Sequence, residues 1–274
     1  MNGMSGTEWS QVAEAWERNA DAIEETSSVA GDALLAAAAL APGERVLELG
    51  AGTGHLAVRL AELVGPDGQV VATDVAPAMV ERIEQRVAAV RNASAAVVDA
   101  AAIPDEIGSF DVVICRMGLM FVPDPAVALQ EVRRVLRPGG RLAVAVWGDM
   151  GRNPWLVAVG FAAMMNGLVS GPPPNQPGGP FSLGDADQLE KLARDAGFDD
   201  VRVDVVEYVR HYASADEQFD MVRVLAPPIA AALEAATPEQ VDAVRRGAAE
   251  YVAQYRTEDG GLDLPACALV LTAR

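Results

Sequence analysis

Between residues 45 and 147 the chain alternates short apolar runs with segments of helical period, and this alternation restricts the fold more than any other feature. The runs are RVLEL (45–49), QVVATD (69–74), AAVVDA (95–100), FDVVICR (110–116) and GRLAVAVW (140–147). Each has strand length and is bounded by turn-forming residues. Helical patterns fill the gaps at 55–64, 77–90 and 125–136. In the last of these, Leu129, Val132, Val135 and Leu136 share one face, and Arg137-Pro138-Gly139-Gly140 stops the helix. Strands that are apolar on both sides and joined by helices predict a parallel sheet buried on both faces, an α/β architecture.

The flanks extend this plan. Residues 7–40 read as helical, with Trp9 and Trp16 seven apart. Two further strands are expected at 200–209 and 264–273. Asp185 with Gln188, Ser214 with Glu217, and Thr237 with Gln240 have capping-box spacing and mark helix starts. Gly197 ends the helix expected at 185–196. The chain therefore divides into an N-terminal helical lid (1–43), a core (44–147), a helical cap insertion (148–196) and a C-terminal part (197–274) that completes core and cap. Asn153-Pro154 opens the helix of the insertion. The Pro/Gly-rich stretch GPPPNQPGGP, at 171–180, reads as a loop able to move.

Composition narrows the partners. The chain has 274 residues, 51% of them hydrophobic, enough for a sizeable core. Thirty-nine acidic against 21 basic residues leave a net charge of -18, which disfavours nucleic acids and anionic membrane surfaces. Two cysteines, Cys115 and Cys267, make no disulfide framework. With only His55 and His211 to join them, no metal site is expected. The start lacks a secretion-signal pattern, and the longest apolar run, 33–41, is half of what a membrane span needs. A cytoplasmic chain acting on a small molecule, with homo-oligomerisation left open, is the expectation.

The site-bearing motif is Glu48-Leu49-Gly50-Ala51-Gly52-Thr53-Gly54-His55, which leaves a strand and opens a helix. Glycines there let the backbone turn tightly and approach a ligand. A nicotinamide-dependent oxidoreductase would want a third glycine where His55 stands. A carboxylate just ahead of the loop repels phosphate and suits an ammonium group. Asp74, ending the second run, is placed to accept both hydroxyls of a ribose. Asp99, expected at the end of the third, is placed to accept an adenine amino group, with the Ala100 N–H donating to a ring nitrogen. Open α/β sheets bind ligands at the carboxyl ends of their strands, where all three acids are expected.

These pieces, VLELGAGTG, ATDVAPAMVERI, VVDAAAIP, FDVVICRMGLMFVPDP and EVRRVLRPGGRLAVAVW, resemble the class I S-adenosylmethionine-dependent methyltransferases. The likeness is to the small-molecule type related to ubiquinone and menaquinone biosynthesis methyltransferases, and covers about a hundred residues in the family's order. It implies a Rossmann-like, mostly parallel seven-stranded sheet with its last strand antiparallel. By the same resemblance Glu48, Gly50, Gly52 and Gly54 surround the methionine part of the cofactor. Asp74 holds the ribose, Val75 and Met79 pack on the adenine, Asp99 and Ala100 bind its edge, and Arg116 lies near the amino-acid end. The Asn/Asp-Pro-Pro-Tyr/Phe motif of adenine and glutamine N-methylation is replaced by Cys115-Arg116-Met117-Gly118-Leu119-Met120.

The expected reaction is C- or O-methylation of an apolar or aromatic molecule of quinone or secondary metabolism. A related reading has the bound cofactor shape a pocket for cyclisation. His55 and His211 are the histidines available as a general base. Trp9 and Trp16 belong either to the core or to a lid over the cofactor, and in the second case are candidates for the substrate pocket. Met117, Met120, Phe161, Tyr208 and Tyr212 are candidates for the substrate pocket.

Overall fold

Seven strands form one sheet in a computed structural model that describes residues 5–170 and 173–274. They are β1 (Arg45–Leu49), β2 (Gln69–Asp74), β3 (Ala93–Val97), β4 (Phe110–Arg116), β5 (Leu136–Trp147), β6 (Arg202–Tyr212) and β7 (Leu262–Ala273). Their order is β3-β2-β1-β4-β5-β7-β6. β1 to β5 pair in parallel, and β7 runs antiparallel to both β5 and β6. β6 is thus parallel to the first five strands, and its C-terminal end reaches the same sheet edge as theirs. This is the Rossmann-like α/β arrangement.

The strands are buried on both faces because both parities are apolar. In β4, Val113 and Cys115 enter one cluster and Val112 and Ile114 the other. One face is covered by α2 (Ala20–Ala38), α3 (His55–Val64) and α4 (Pro77–Val87). The other carries α5 (Pro125–Val135), α6 (Pro154–Met165) and α7 (Ala186–Asp195), with α8 (Ala215–Leu225), α9 (Pro227–Glu234) and α10 (Pro238–Tyr251) above α6. α1 (Gly6–Arg18) starts with a capping box of Ser5 and Glu8 and packs on α4.

Several expectations shift. The helical stretch 7–40 is two helices, divided at Asn19. The third strand runs two to three residues earlier than expected, so Asp99 lies past its end. It is the sheet's edge strand, made of small, partly exposed residues that give a weak pattern. Within the 148–196 stretch, α6 packs against α8, α9 and α10, whereas α7 packs on α5, β6 and β7. Of the Pro/Gly stretch, Gly171 and Pro172 lie outside the described residues. Among the described residues no helix is long and apolar enough to cross a membrane.

Candidate active site

The Gly loop is anchored to β2. The Ala51 N–H donates to the Thr73 carbonyl at 2.8 Å, and the Thr73 hydroxyl donates to the Glu48 carbonyl at 2.7 Å. Two of its glycines answer different demands. Gly54, at φ 84°, sits where a Cβ would come within 3.1 Å of the Ile83 Cα, so it allows α3 to pack close to α4. Gly52, at φ 58°, opens toward α1, where a Cβ would be 3.7 Å from the Trp16 ring. Gly50 faces Gly118, beyond β4.

Two carboxylates stand at the strand ends. Glu48 is 2% exposed, and its Oε2 has no hydrogen-bond partner among the described residues. Burial pushes its pKa up to about 8, against a smaller opposing pull from Arg116. Asp74 is also buried; it accepts from the Gly52 N–H at 3.0 Å and the Ala76 N–H at 3.0 Å. Burial raises its pKa to about 6 despite those donors. A carboxylate without a partner beside a glycine turn fits an ammonium group, and a second at the next strand end fits a diol. These residues therefore suit an aminoacyl nucleoside such as S-adenosylmethionine.

Arg116 ends β4 and is not free. It forms a two-armed ion pair with Glu24 of α2 at 2.9 and 2.6 Å, both side chains largely buried. Charge pairing with Arg116 holds the Glu24 carboxyl below its ordinary range, although desolvation is the largest single influence and works the other way. Sequence reasoning missed Glu24, because a partner 92 residues away leaves no local signature. Asp99 is exposed and turned on its own loop, accepting from the Ala101 N–H at 2.9 Å. Ala100 is half-buried beside it.

α1 lies over this surface. Trp9 and Trp16 meet edge to face at 5.7 Å and pack with Ala76 and Met79; Trp9 also meets Phe121 at 5.3 Å. Gly6 approaches the Val75 carbonyl so closely that a Cβ would be 2.5 Å from its oxygen. Arg86 of α4 ties the loop to α1, donating to the Thr53 carbonyl at 2.6 Å and to Glu17 of α1 at 2.9 Å. Met117 adopts φ 56°, a left-handed backbone rare for such a side chain, directly after β4. Met120 is buried in the core.

The other candidates separate. His55 bridges Thr53 and Asp21 of α2, each at 3.3 Å, beside the loop. His211 does not join the site: its side chain is 76% exposed and pairs with Asp263 across the strand at 2.7 Å. Strand alternation turns it away from its neighbours Arg210 and Tyr212. Phe161 is 44% exposed and packs on Tyr251 at the outside of the cap. Tyr208 and Tyr212 face the interior near the C-terminal end of β6. Burial pushes the Cys115 thiol up to about 12, so it supplies no thiolate.

Residues 46–140 match a family model described as a methyltransferase domain. An uncharacterized protein of Mycobacterium tuberculosis is 36% identical over 128 residues, 45% of this chain and 44% of that protein. A demethylmenaquinone methyltransferase of Staphylococcus aureus is 40% identical over 98 residues, 36% of this chain and 41% of the enzyme. The matched stretches thus span less than half of those relatives. A solved S-adenosylmethionine-dependent methyltransferase of Aquifex aeolicus superposes with a TM-score of 0.50 at 23% identity, over 68% of this chain and 89% of that one. Residues 46–140 thus carry a methyltransferase domain, and within it the chain is similar to S-adenosylmethionine-dependent methyltransferases that act on small molecules.

Proposed function

We propose that the protein transfers a methyl group from S-adenosylmethionine to carbon or oxygen of an apolar or aromatic small molecule of quinone or secondary metabolism. The observation that carries this reading is the unpartnered, buried Glu48 carboxylate at the glycine turn, with Asp74 at the neighbouring strand end. The demethylmenaquinone methyltransferase relative supports the acceptor class. When bound, the cofactor supplies a sulfonium methyl group already activated for in-line displacement. The chain's task is then to position the acceptor and exclude water, and positioning alone is worth about 7–11 kcal/mol of barrier. Glu48 receives the ammonium and Asp74 the ribose.

The test is product mass spectrometry with isotope-labelled S-adenosylmethionine and a panel of quinone precursors and phenols. A labelled gain of one methyl supports the reading. A rearranged product of unchanged mass would assign the cofactor a purely structural part in a cyclisation.

Two further results are expected. Position dominates over proton transfer here, so His55→Ala should cost less than about tenfold in rate and His211→Ala nothing measurable. A hundredfold loss in either, with cofactor affinity intact, would instead make that histidine the base. Secondly, α1 packs against Gly52 and Met79, two of the positions assigned to the cofactor, while Val75 stays exposed, so binding must displace part of α1. A competent state populated only fractionally weakens apparent affinity by that fraction. Trp16→Ala should therefore tighten S-adenosylhomocysteine binding in calorimetry. Weaker binding would make Trp16 a wall of the cofactor site and not its competitor.

A further inference from the structure

An arginine near the C-terminal end of β6 has no acid to answer it. Arg210 is 3% exposed, and its Nε, Nη1 and Nη2 all lack hydrogen-bond partners among the described residues. The guanidinium lies over the Trp155 indole, 3.7 Å from the ring centroid, with Trp147 at 5.8 Å and Tyr212 at 5.9 Å. Tyr208 and Tyr212 flank it two residues either side, on the same strand face. Their hydroxyls are buried and unpartnered as well. Gln218 of α8 donates to the Trp155 carbonyl and leaves its own Oε1 without a partner.

The missing acid is not a matter of supply. The chain holds 39 acidic residues against 21 basic ones. The other well-buried arginines are paired, Arg116 with Glu24 and Arg141 with Glu44. At Arg210 desolvation lowers the pKa, and the groups beside it that oppose this are Tyr212 and Tyr208. The Tyr212 hydroxyl approaches the guanidinium without completing a well-formed hydrogen bond among the described residues, and neither is an acid. An arginine does not shed its proton in a protein, so a buried one must find compensation. Stacking on an indole offsets part of the desolvation cost, not all of it.

The donors match one kind of ligand. A guanidinium presents N–H groups in a planar fork that fits a carboxylate, and two phenol hydroxyls add donors beside it. Trp155 and Trp147, both buried, wall that fork with aromatic side chains. The position matches too. β6 is parallel to β1, so Arg210 lies toward the sheet edge that carries Glu48 and Asp74, and Trp147 ends β5. α8 follows Tyr212 directly and packs on α6 and on α1, the helix that covers the Gly loop.

We propose that Arg210, Tyr208 and Tyr212 form a carboxylate-recognition site, and that the acceptor of this enzyme is an aromatic or conjugated carboxylic acid. The second clause rests on the methyltransferase reading; the first does not.

Benzoate and its neutral isostere benzamide test it. Both are titrated into the whole protein, with tryptophan fluorescence and melting temperature as readouts, and S-adenosylhomocysteine binding is measured separately. The wild type should bind benzoate at least about tenfold more tightly than benzamide, the loss of one charge-assisted hydrogen bond. Arg210→Met should abolish that preference while its melting temperature stays level or rises, because an uncompensated buried charge is removed. Tyr208→Phe should lose part of the preference. Equal binding of the two probes, binding of neither, or a preference that survives in Arg210→Met overturns the proposal. The wild-type comparison needs no variant, so a misfolded Arg210→Met leaves the test standing. Benzoate selectivity without S-adenosylhomocysteine binding would keep the carboxylate site and remove the methyltransferase reading; the reverse result would do the opposite.

Discussion

Asp74→Ala should weaken S-adenosylhomocysteine binding by about a hundredfold or more. A hydrogen bond to a charged group contributes about 1.5–3 kcal/mol, and the carboxylate is assigned two ribose hydroxyls. The structure complicates the simple deletion, because Asp74 also accepts from the Gly52 and Ala76 N–H groups and so shapes the loop. Asp74→Asn separates the two roles in part. It removes the charge and keeps one of the two oxygens that accept from the Gly52 and Ala76 N–H groups, so the melting temperature should fall less than in Asp74→Ala while affinity still falls at least about tenfold. Affinity in the wild type should also fall below about pH 6, where the raised pKa of Asp74 leaves it protonated and a poorer acceptor. Calorimetry that finds wild-type affinity in a folded Asp74→Ala protein would remove the ribose assignment.

How far the sequence discloses this molecule depends on burial. β1, β2 and β4 begin and end where their apolar runs do, because central strands are buried on both faces and bounded by turns. β3 shifted because an edge strand of alanine and serine has little pattern to read, and Asp99 lost its strand-end place with it. The strand-end placement of Glu48 and Asp74 was legible because each adjoins a glycine turn or a strand end within a local motif. Glu24 was not, since its pairing with Arg116 is made only by tertiary packing. At β6 the sequence held the answer in its parity. Tyr208, Arg210 and Tyr212 alternate with Val209 and His211, so the strand that buries the first set must expose His211. Reading the strand end without its alternation set His211 beside Tyr208 and Tyr212, although its side chain points to solvent.

The pH dependence of stability should betray Glu48. In the unfolded chain its carboxyl has the ordinary value of about 4.5, and in the fold burial raises this to about 8. Between those limits the folded protein holds a proton that the unfolded one has lost. The associated stability is therefore complete below about pH 4.5 and is lost as pH rises through about 8. Each pH unit in that window is worth about 1.4 kcal/mol for a single group, so the fall amounts to a few kcal/mol. Glu48→Gln should flatten the curve above about pH 6, where Asp74 no longer contributes, and be the more stable protein at the alkaline end, as denaturant melts across pH will show. Cofactor binding must then act through the same proton. An ammonium group beside Glu48 favours its charged form, so S-adenosylhomocysteine should drive a proton off near neutral pH and bind more tightly as pH approaches about 8. Titrations in two buffers of different ionisation enthalpy read that release directly. It should approach one proton in the wild type and vanish in Glu48→Gln, with affinity reduced. Wild-type binding that moves no proton would mean that the ammonium group lies elsewhere and that Glu48 only holds up the loop.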